Sequence, residues 1–476
     1  MVVAVAYVLV LMALIARVIL RPGRDPVSRL AWIVVILLVP AAGIGGYLLL
    51  GETSIGRRRV ARLRSAVEAL PDPLAGLGPQ AEALRPELPP RFQELFRVGR
   101  SISRYRVVGG NTARLLPDEN QAIDALVGDI DAARDHVHLL FYIWLDDRNG
   151  ARVAEAVGRA ARRGVACRVL VDDVGSRAFI RSAHWRAMRE AGARVVASLP
   201  VGIAVLRPLH GRIDLRDHRK LAVIDNRITY GGSQNCADPE FRIKARYAPW
   251  VDIMLRFEGP LARENQHLFA GDWALWTGED IGHLLNEPMD KAAGGFAAQV
   301  IATGPSSRPF ALSEMFQSLI FAARRELIIT TPYYVPDSSI QSALRAAGNR
   351  GVRTMLVLPA RNDSWAVAAA SRSHYASLLG AGVAIHEFQG GLLHAKTLTV
   401  DGEVALVGSA NIDRRSLDLN YENNILLHSP ELVAEIRERQ LNYAARGQEV
   451  HAAEVLQWPI LRRLWQNSAA VLSPLL

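Results

Sequence analysis

The chain has 476 residues, enough for two or three domains with a sizeable buried core, so no disulfide or metal staple is needed for stability. Half of the residues are hydrophobic and 22% are charged, which excludes a disordered or low-complexity chain. The formal charge is +9, yet only four of the 56 basic residues are lysine: Lys220, Lys244, Lys291 and Lys396. An arginine-rich chain suits nucleic acid, anionic lipid or a phosphorylated substrate, and net charge does not choose among them. Two cysteines, Cys167 and Cys236, without CxxC or zinc spacing exclude a disulfide framework and fit a reducing compartment.

Two apolar runs come first. Residues 2–16 are apolar throughout and residues 30–50 carry no charge, with Arg17, Arg21, Arg24 and Arg29 between the runs. At a helical rise of about 1.5 Å per residue, the second run reaches about 30 Å, the hydrocarbon thickness of a bilayer. The expectation is an N-terminal transmembrane helical hairpin, 1–55, partly re-entrant because Pro40, Gly43, Gly45 and Gly46 interrupt the second run. A cleaved signal peptide fits less well, since the first run lacks a basic n-region and an A-x-A site. Arg57, Arg58, Arg59, Arg62 and Arg64 follow the second run and place the large C-terminal part in the cytoplasm by the positive-inside count.

Residues 56–106 read as a linker with one short helix, 91–98. Beyond it, strand-like and helix-like stretches alternate as in a layered α/β domain: strand 137–145, helix 151–163, strand 165–171, helix 181–191. The order returns as strand 327–331, helix 339–349, strand 352–358 and helix 365–379. Ala-Gly closes the second helix of each set, at 191–192 and 381–382, as a helix C-cap requires. The domain is therefore present twice, at 107–290 and 291–448. A tail, 449–476, carries Trp458, Ile460, Leu461, Leu464 and Trp465 with Arg462 and Arg463, and suits an interfacial helix or one docked on the body.

The repeat is sharpest at two polar segments. His218-Arg-Lys220 with Asp225 and His394-Ala-Lys396 with Asp401 share the spacing H-x-K-x4-D. Each His is followed at the same distance by Ser and Asn, Ser233 and Asn235 in GGSQN, Ser409 and Asn411 in GSAN. Independent residue frequencies predict roughly 0.005 matches to H-x-K-x4-D in a chain of this length, so two matches are a signal.

On an extended strand, His and Lys two residues apart share a face. An ammonium between His and Asp is a poor neighbour for a cation, which argues against a metal site. Imidazole, ammonium, hydroxyl and amide together suit a phosphate, with Lys, Asn and Ser on the non-bridging oxygens and His free to attack phosphorus. Two histidines supply a nucleophile and an acid for the leaving alcohol. Each needs a carboxylate on its other ring nitrogen, and Asp252 in WVDIMLRFEG and Glu422 in LNYENN are the candidates. Asp225 and Asp401, at strand ends before a turn, suit a supporting role at the site or a purely structural one. Arg414 and Arg415 suit solvent or a lipid phosphate. His136, His138, His374 and His386 have no counterpart in the repeat and read as structural.

The duplicated motif with its following Ser and Asn resembles the phospholipase D superfamily, and two such motifs behind an N-terminal apolar hairpin resemble the bacterial cardiolipin synthases. The likeness extends to RLAWIVVILLVPAAGIGGYLLLG, TPYYVPD, LLHAKTLTVDGEVALVGSANIDRRSLDLNYENN and the terminal SPLL. It implies an α/β fold: two tandem phospholipase-D-like domains forming a pseudo-twofold, bilobed catalytic body with both motifs at one interface. It also implies catalysis by His218, Lys220, Asp225, His394, Lys396 and Asp401 without metal or cofactor. The implied reaction transfers a phosphatidyl group from one phosphatidylglycerol to another, releasing glycerol, at a bacterial inner membrane crossed more than once. Membrane phospholipids are the implied partners and nucleic acid is not. A hydrolytic phospholipase D or another phosphatidyltransferase is the alternative, ahead of a nuclease of the same superfamily, which no nucleic-acid-binding motif supports. By analogy His218 is the nucleophile and His394 the acid and base. A longer first copy, with 26 residues from Ala-Gly to its His against 12 in the second, departs from strict repetition through an insertion at 199–214.

Overall fold

The computed structural model describes residues 1–51, 56–78, 80–200, 212, 214–289 and 294–472. Most of the insertion at 199–214, Lys291 and the SPLL terminus lie outside the described residues.

Among the described residues, the alternating stretches assemble into one large sheet of fifteen strands, with two short two-stranded pairs beside it. In chain order these are β1 (Val108–Leu115), β2 (His136–Phe141), β3 (Ala166–Asp172), β4 (Arg194–Ser198), β5 (Lys220–Ile224), β6 (Ile228–Gly232), β7 (Met254–Glu258) and β8 (Phe296–Thr303). There follow β9 (Glu326–Thr330), β10 (Arg353–Pro359), β11 (Ala384–Phe388), β12 (Thr397–Val400), β13 (Val404–Gly408), β14 (Glu422–His428) and β15 (Gly447–Glu449). Outward from the centre, the first half runs β1-β7-β6-β5-β2-β3-β4 and the second β8-β14-β13-β12-β9-β10-β11, with β15 added at the edge. Each strand of the first half thus has its counterpart seven strands later. The two halves join where β1 and β8 pair antiparallel, so the repeat is related by a pseudo-twofold within one continuous sheet.

Helices cover the faces and bury the central strands on both sides, so every residue of β2, β5, β9 and β12 is buried, the polar His136, His138, Lys220, Glu326, Thr397 and Thr399 included. The helices expected after β2, β3 and β9 form as Arg148–Arg162, Ala183–Glu190 and Ser338–Asn349, each started by a side-chain cap: Asp147, Ser182 and Asp337. The helix expected over 365–379 breaks at His374 into Trp365–Ser373 and Tyr375–Leu379. The strand expected over 137–145 stops at Phe141, because the next residues turn to the GGSQN segment: Leu145 N donates to Cys236 O at 3.0 Å.

The expected linker is largely part of the body. Helix Pro90–Ser103 buries Phe92, Leu95 and Phe96 beside Ile301, Leu312 and Phe316 in the core of the second half. Before it, α4 (Arg57–Ala69) lies near helix Leu261–Thr277, whose Gly271 leaves room for Val67.

The N-terminal segment has one helix more than the expected two-helix hairpin. It forms three helices, α1 (Val2–Leu20), α2 (Pro26–Leu38) and α3 (Pro40–Leu50). Pro40 has no N–H and disfavours helical backbone in the residue before it, so Val39 sits at φ −133° and ψ 70° and the second apolar run is cut in two. The pieces have 13 and 11 residues. Among the described residues, no helix is long and apolar enough to cross a membrane. The three helices pack on one another through Val18, Trp32, Ile36 and Tyr47, while Leu9, Met12, Leu30 and Leu38 point outward.

Candidate active site

Both motif histidines lie just ahead of a sheet strand, β5 and β12, on arms that leave their own half. His218 N donates to Tyr421 O at 3.0 Å, and Asp217 bridges to Tyr421. His394 N donates to Val251 O at 2.7 Å, where Leu392–Leu393 pairs in parallel with Trp250–Val251. Each arm therefore docks on the residue just before a carboxylate of the opposite half, and this fixes the pairing that spacing alone leaves open. The Nδ1–H of His218 donates to both Glu422 oxygens, at 3.1 and 3.0 Å, and that of His394 to Asp252 Oδ1 at 2.7 Å. The carboxylates are crossed between the halves. With Nδ1 occupied, Nε2 is the ring nitrogen left available in both rings.

Ser233 and Ser409 hold these carboxylates. Ser233 Oγ donates to Asp252 Oδ1 at 2.5 Å, and Ser409 Oγ donates to Glu422 Oε2. Both serines are fully buried. This corrects the expectation that they contact a phosphate, since their one proton is already committed. Lys220 and Lys396 are buried too, and each Nζ donates to the backbone oxygen of its own motif histidine.

Burial dominates the electrostatics. It lowers His218 and His394 to about 4, helped by the two lysine charges and opposed by Glu422 and Asp252 respectively. Burial likewise lowers Lys220 to about 8 and Lys396 to about 7, against the pull of both carboxylates. Asp252 is held at about 2 in spite of burial, by His394 and Lys396, and Glu422 is lowered in spite of burial by His218 and Lys220. The charges of the two motifs are mutually felt. The free site is thus two neutral imidazoles, two carboxylates and two ammonium groups ready to lose their protons.

Asp225 and Asp401 sit elsewhere. Each opens the three-residue loop of its hairpin with left-handed backbone, Asp225-Asn226 at φ 48° and 52° and Asp401-Gly402 at φ 54° and 74°. Their side chains accept backbone N–H groups at the start of the neighbouring strand: Arg134, Asp135 and His136 on Asp225, and Arg324, Arg325 and Glu326 on Asp401. The far end of a five-residue strand lies roughly 17 Å from the histidine arm. The expectation of a catalytic Asp225 and Asp401 is therefore corrected to a structural role.

Asn235 Oδ1 accepts Ile143 N at 3.2 Å, securing the segment after β2. Asn411 is buried, and its Oδ1 has no hydrogen-bond partner among the described residues. Arg414 pairs with Asp25 in the α1–α2 connection at 2.7 Å, and Arg415 with Asp214 at 2.7 Å, so neither is simply solvated. His136 and His138 stack in the core at 4.6 Å, consistent with a structural role.

Three residues belong to the site without a motif signal. The Tyr142 ring meets His218 edge-on at 4.9 Å with Lys220 Nζ 5.2 Å away, and Trp250 lies 4.6 Å from His394. Trp250 opens the two-residue strand Trp250–Val251 that runs directly into Asp252. Arg219 pairs with Asp272, donates to Thr303 O at 3.3 Å and lies 4.9 Å over Tyr421, so it ties the first arm to the strand bearing Glu422. The second motif has Ala395 at that position.

Comparison with known proteins agrees with this arrangement. Residues 126–252 and 316–442 match the family model for the cardiolipin synthase, phospholipase-D-like domain, once in each half, and residues 8–52 match the phospholipase D-nuclease N-terminal family. Cardiolipin synthase A of Edwardsiella ictaluri is 36% identical over 99% of this chain and 97% of its own length. The same enzyme of Salmonella newport is 37% identical over 98% of this chain and 96% of its own. Among solved structures, phosphatidylserine synthase of Haemophilus influenzae superposes with a TM-score of 0.59 at 13% identity, covering 81% of this chain and all of that one, a likeness of fold. Two matched domains and near-complete alignment with these relatives place the chain in the phospholipase-D-like cardiolipin synthase family.

Proposed function

We propose that the chain is a phosphatidyltransferase that converts two phosphatidylglycerol molecules into cardiolipin and glycerol. The crossed His–carboxylate pairs carry this reading, because they leave two Nε2 atoms, one from each half, for one phosphorus. His218 Nε2 attacks the phosphodiester and forms an N–P bond, while His394 Nε2 gives a proton to the departing glycerol oxygen. The terminal hydroxyl of a second phosphatidylglycerol then loses its proton to His394 and attacks phosphorus, and the N–P bond breaks. Lys220, Lys396, Asn235 and Asn411 are assigned to the non-bridging oxygens. The anionic phosphate offsets the lysine charges, which raises His394 and lets it enter the cycle protonated. Residues 107–290 and 291–448 are the two catalytic halves, neither complete alone.

The outward apolar residues of α1, α2 and α3 favour a seat for this segment in a bacterial membrane, with the body on the cytoplasmic side. The test is incubation of purified protein with phosphatidylglycerol vesicles. Cardiolipin with an equivalent of glycerol is the expected product, and phosphatidic acid with glycerol would indicate hydrolysis instead. Acid-quenched turnover with labelled lipid is expected to leave label on the His218 peptide; label on the His394 peptide would reverse the two roles.

A further inference from the structure

The C-terminal helix Ile460–Leu472 turns its apolar stripe away from the body. Its buried residues are Gln466 and Ala469, the latter packed with Val335, Ala369 and Ala370. Outward it presents Ile460, Leu461, Leu464 and Trp465, which are 79, 75, 63 and 52% exposed and recur at helical spacing. Trp365, 70% exposed, stacks on Trp465 with ring centres 5.2 Å apart. A contiguous apolar face of this kind marks a contact surface.

We propose that this face lies on an anionic bilayer, as a second membrane contact distinct from the N-terminal helices; the inference rests on the reading that the substrate is a membrane lipid. Charge selects the occupant. Arg462 and Arg463 are exposed on the same helix, and no acidic residue occurs between Glu454 and Leu472. A second copy would oppose like charge, whereas anionic headgroups complement it and tryptophans favour the bilayer interface. Both contacts are also anchored on one short segment. Val335, against which the helix packs, pairs with Asp413, and the next residue, Arg414, bonds Asp25 between α1 and α2. A bilayer holding the N-terminal helices is thereby brought to the C-terminal face.

The full chain carrying Leu464→Cys and a nitroxide label tests the proposal, since Cys167 and Cys236 are buried. On vesicles of phosphatidylglycerol and phosphatidylcholine, label access to oxygen is expected to rise several-fold and access to a water-soluble nickel chelate to fall several-fold. A label that stays open to the chelate, or that shows dipolar broadening from a second label, would overturn it. A Leu464→Asp variant is expected to lose several-fold activity on vesicles and to match the parent in detergent micelles, and parent-like activity on vesicles would overturn it as well. The depth measurement needs no turnover, so absence of cardiolipin with an inserted label would reject the proposed reaction and leave the docking face intact.

Discussion

In a chain that uses arginine almost throughout, two of the four lysines stand at the site, each buried with its Nζ on the histidine arm. An ammonium offers rotatable donors in a small volume, and a guanidinium fork does not fit the same space. Lys220→Arg or Lys396→Arg is therefore expected to cut kcat/KM by roughly 100-fold or more, and near-parental turnover in both would remove lysine geometry from the mechanism. The lysines also set a pH limb. The proposed reaction has them bind phosphate in the protonated form, and they lose their protons as pH rises through about 7 for Lys396 and about 8 for Lys220. A pH profile of kcat/KM, which reports the free enzyme, is expected to fall across that window. For stability the sign is opposite: the unfolded chain binds more lysine protons between these values and 10.5, so the lysine contribution grows with pH there.

At the scale of the element, the hairpins β5–β6 and β12–β13 separate two jobs that one motif carries. His and Lys stand at the open end, and Asp closes the turn and caps three N–H groups of the adjacent strand. Asp225→Ala leaves those donors without a partner and is expected to destabilise the fold by about 1 to 3 kcal/mol while folded protein keeps its activity; calorimetry beside specific activity separates the two effects. The sequence shows the motif but not this division, because spacing is silent on which end of a strand faces a ligand. The same limit applies to Ser233 and Ser409, whose hydroxyls fit phosphate or carboxylate equally until the acceptor is placed. Asp252 and Glu422 are legible as the carboxylates. Their crossed assignment is not, since it depends on contacts 142 and 204 residues apart. The apolar run 30–50 has the length of a span, and Pro40 within it divides it into helices of 13 and 11 residues.

At the scale of the molecule, one sheet and two crossed pairs make the halves interdependent. Thermal unfolding of the body is expected as a single cooperative transition, and two well-separated transitions would contradict the continuous sheet. A fragment ending at residue 289 keeps His218 and Asp252 but lacks Glu422, His394 and their strands, so it is expected to form no cardiolipin in the vesicle assay.

The pseudo-twofold also has a genetic consequence. In an isologous dimer of identical chains, every substitution appears on both sides of the axis at once. Joining the two copies in one polypeptide releases that constraint, and the drift is visible: the position held by Arg219 in the first motif is Ala395 in the second, and the insertion at 199–214 has no counterpart. Two lipid substrates that play unequal parts in one reaction can thus meet two unequal walls, each free to change without altering the other.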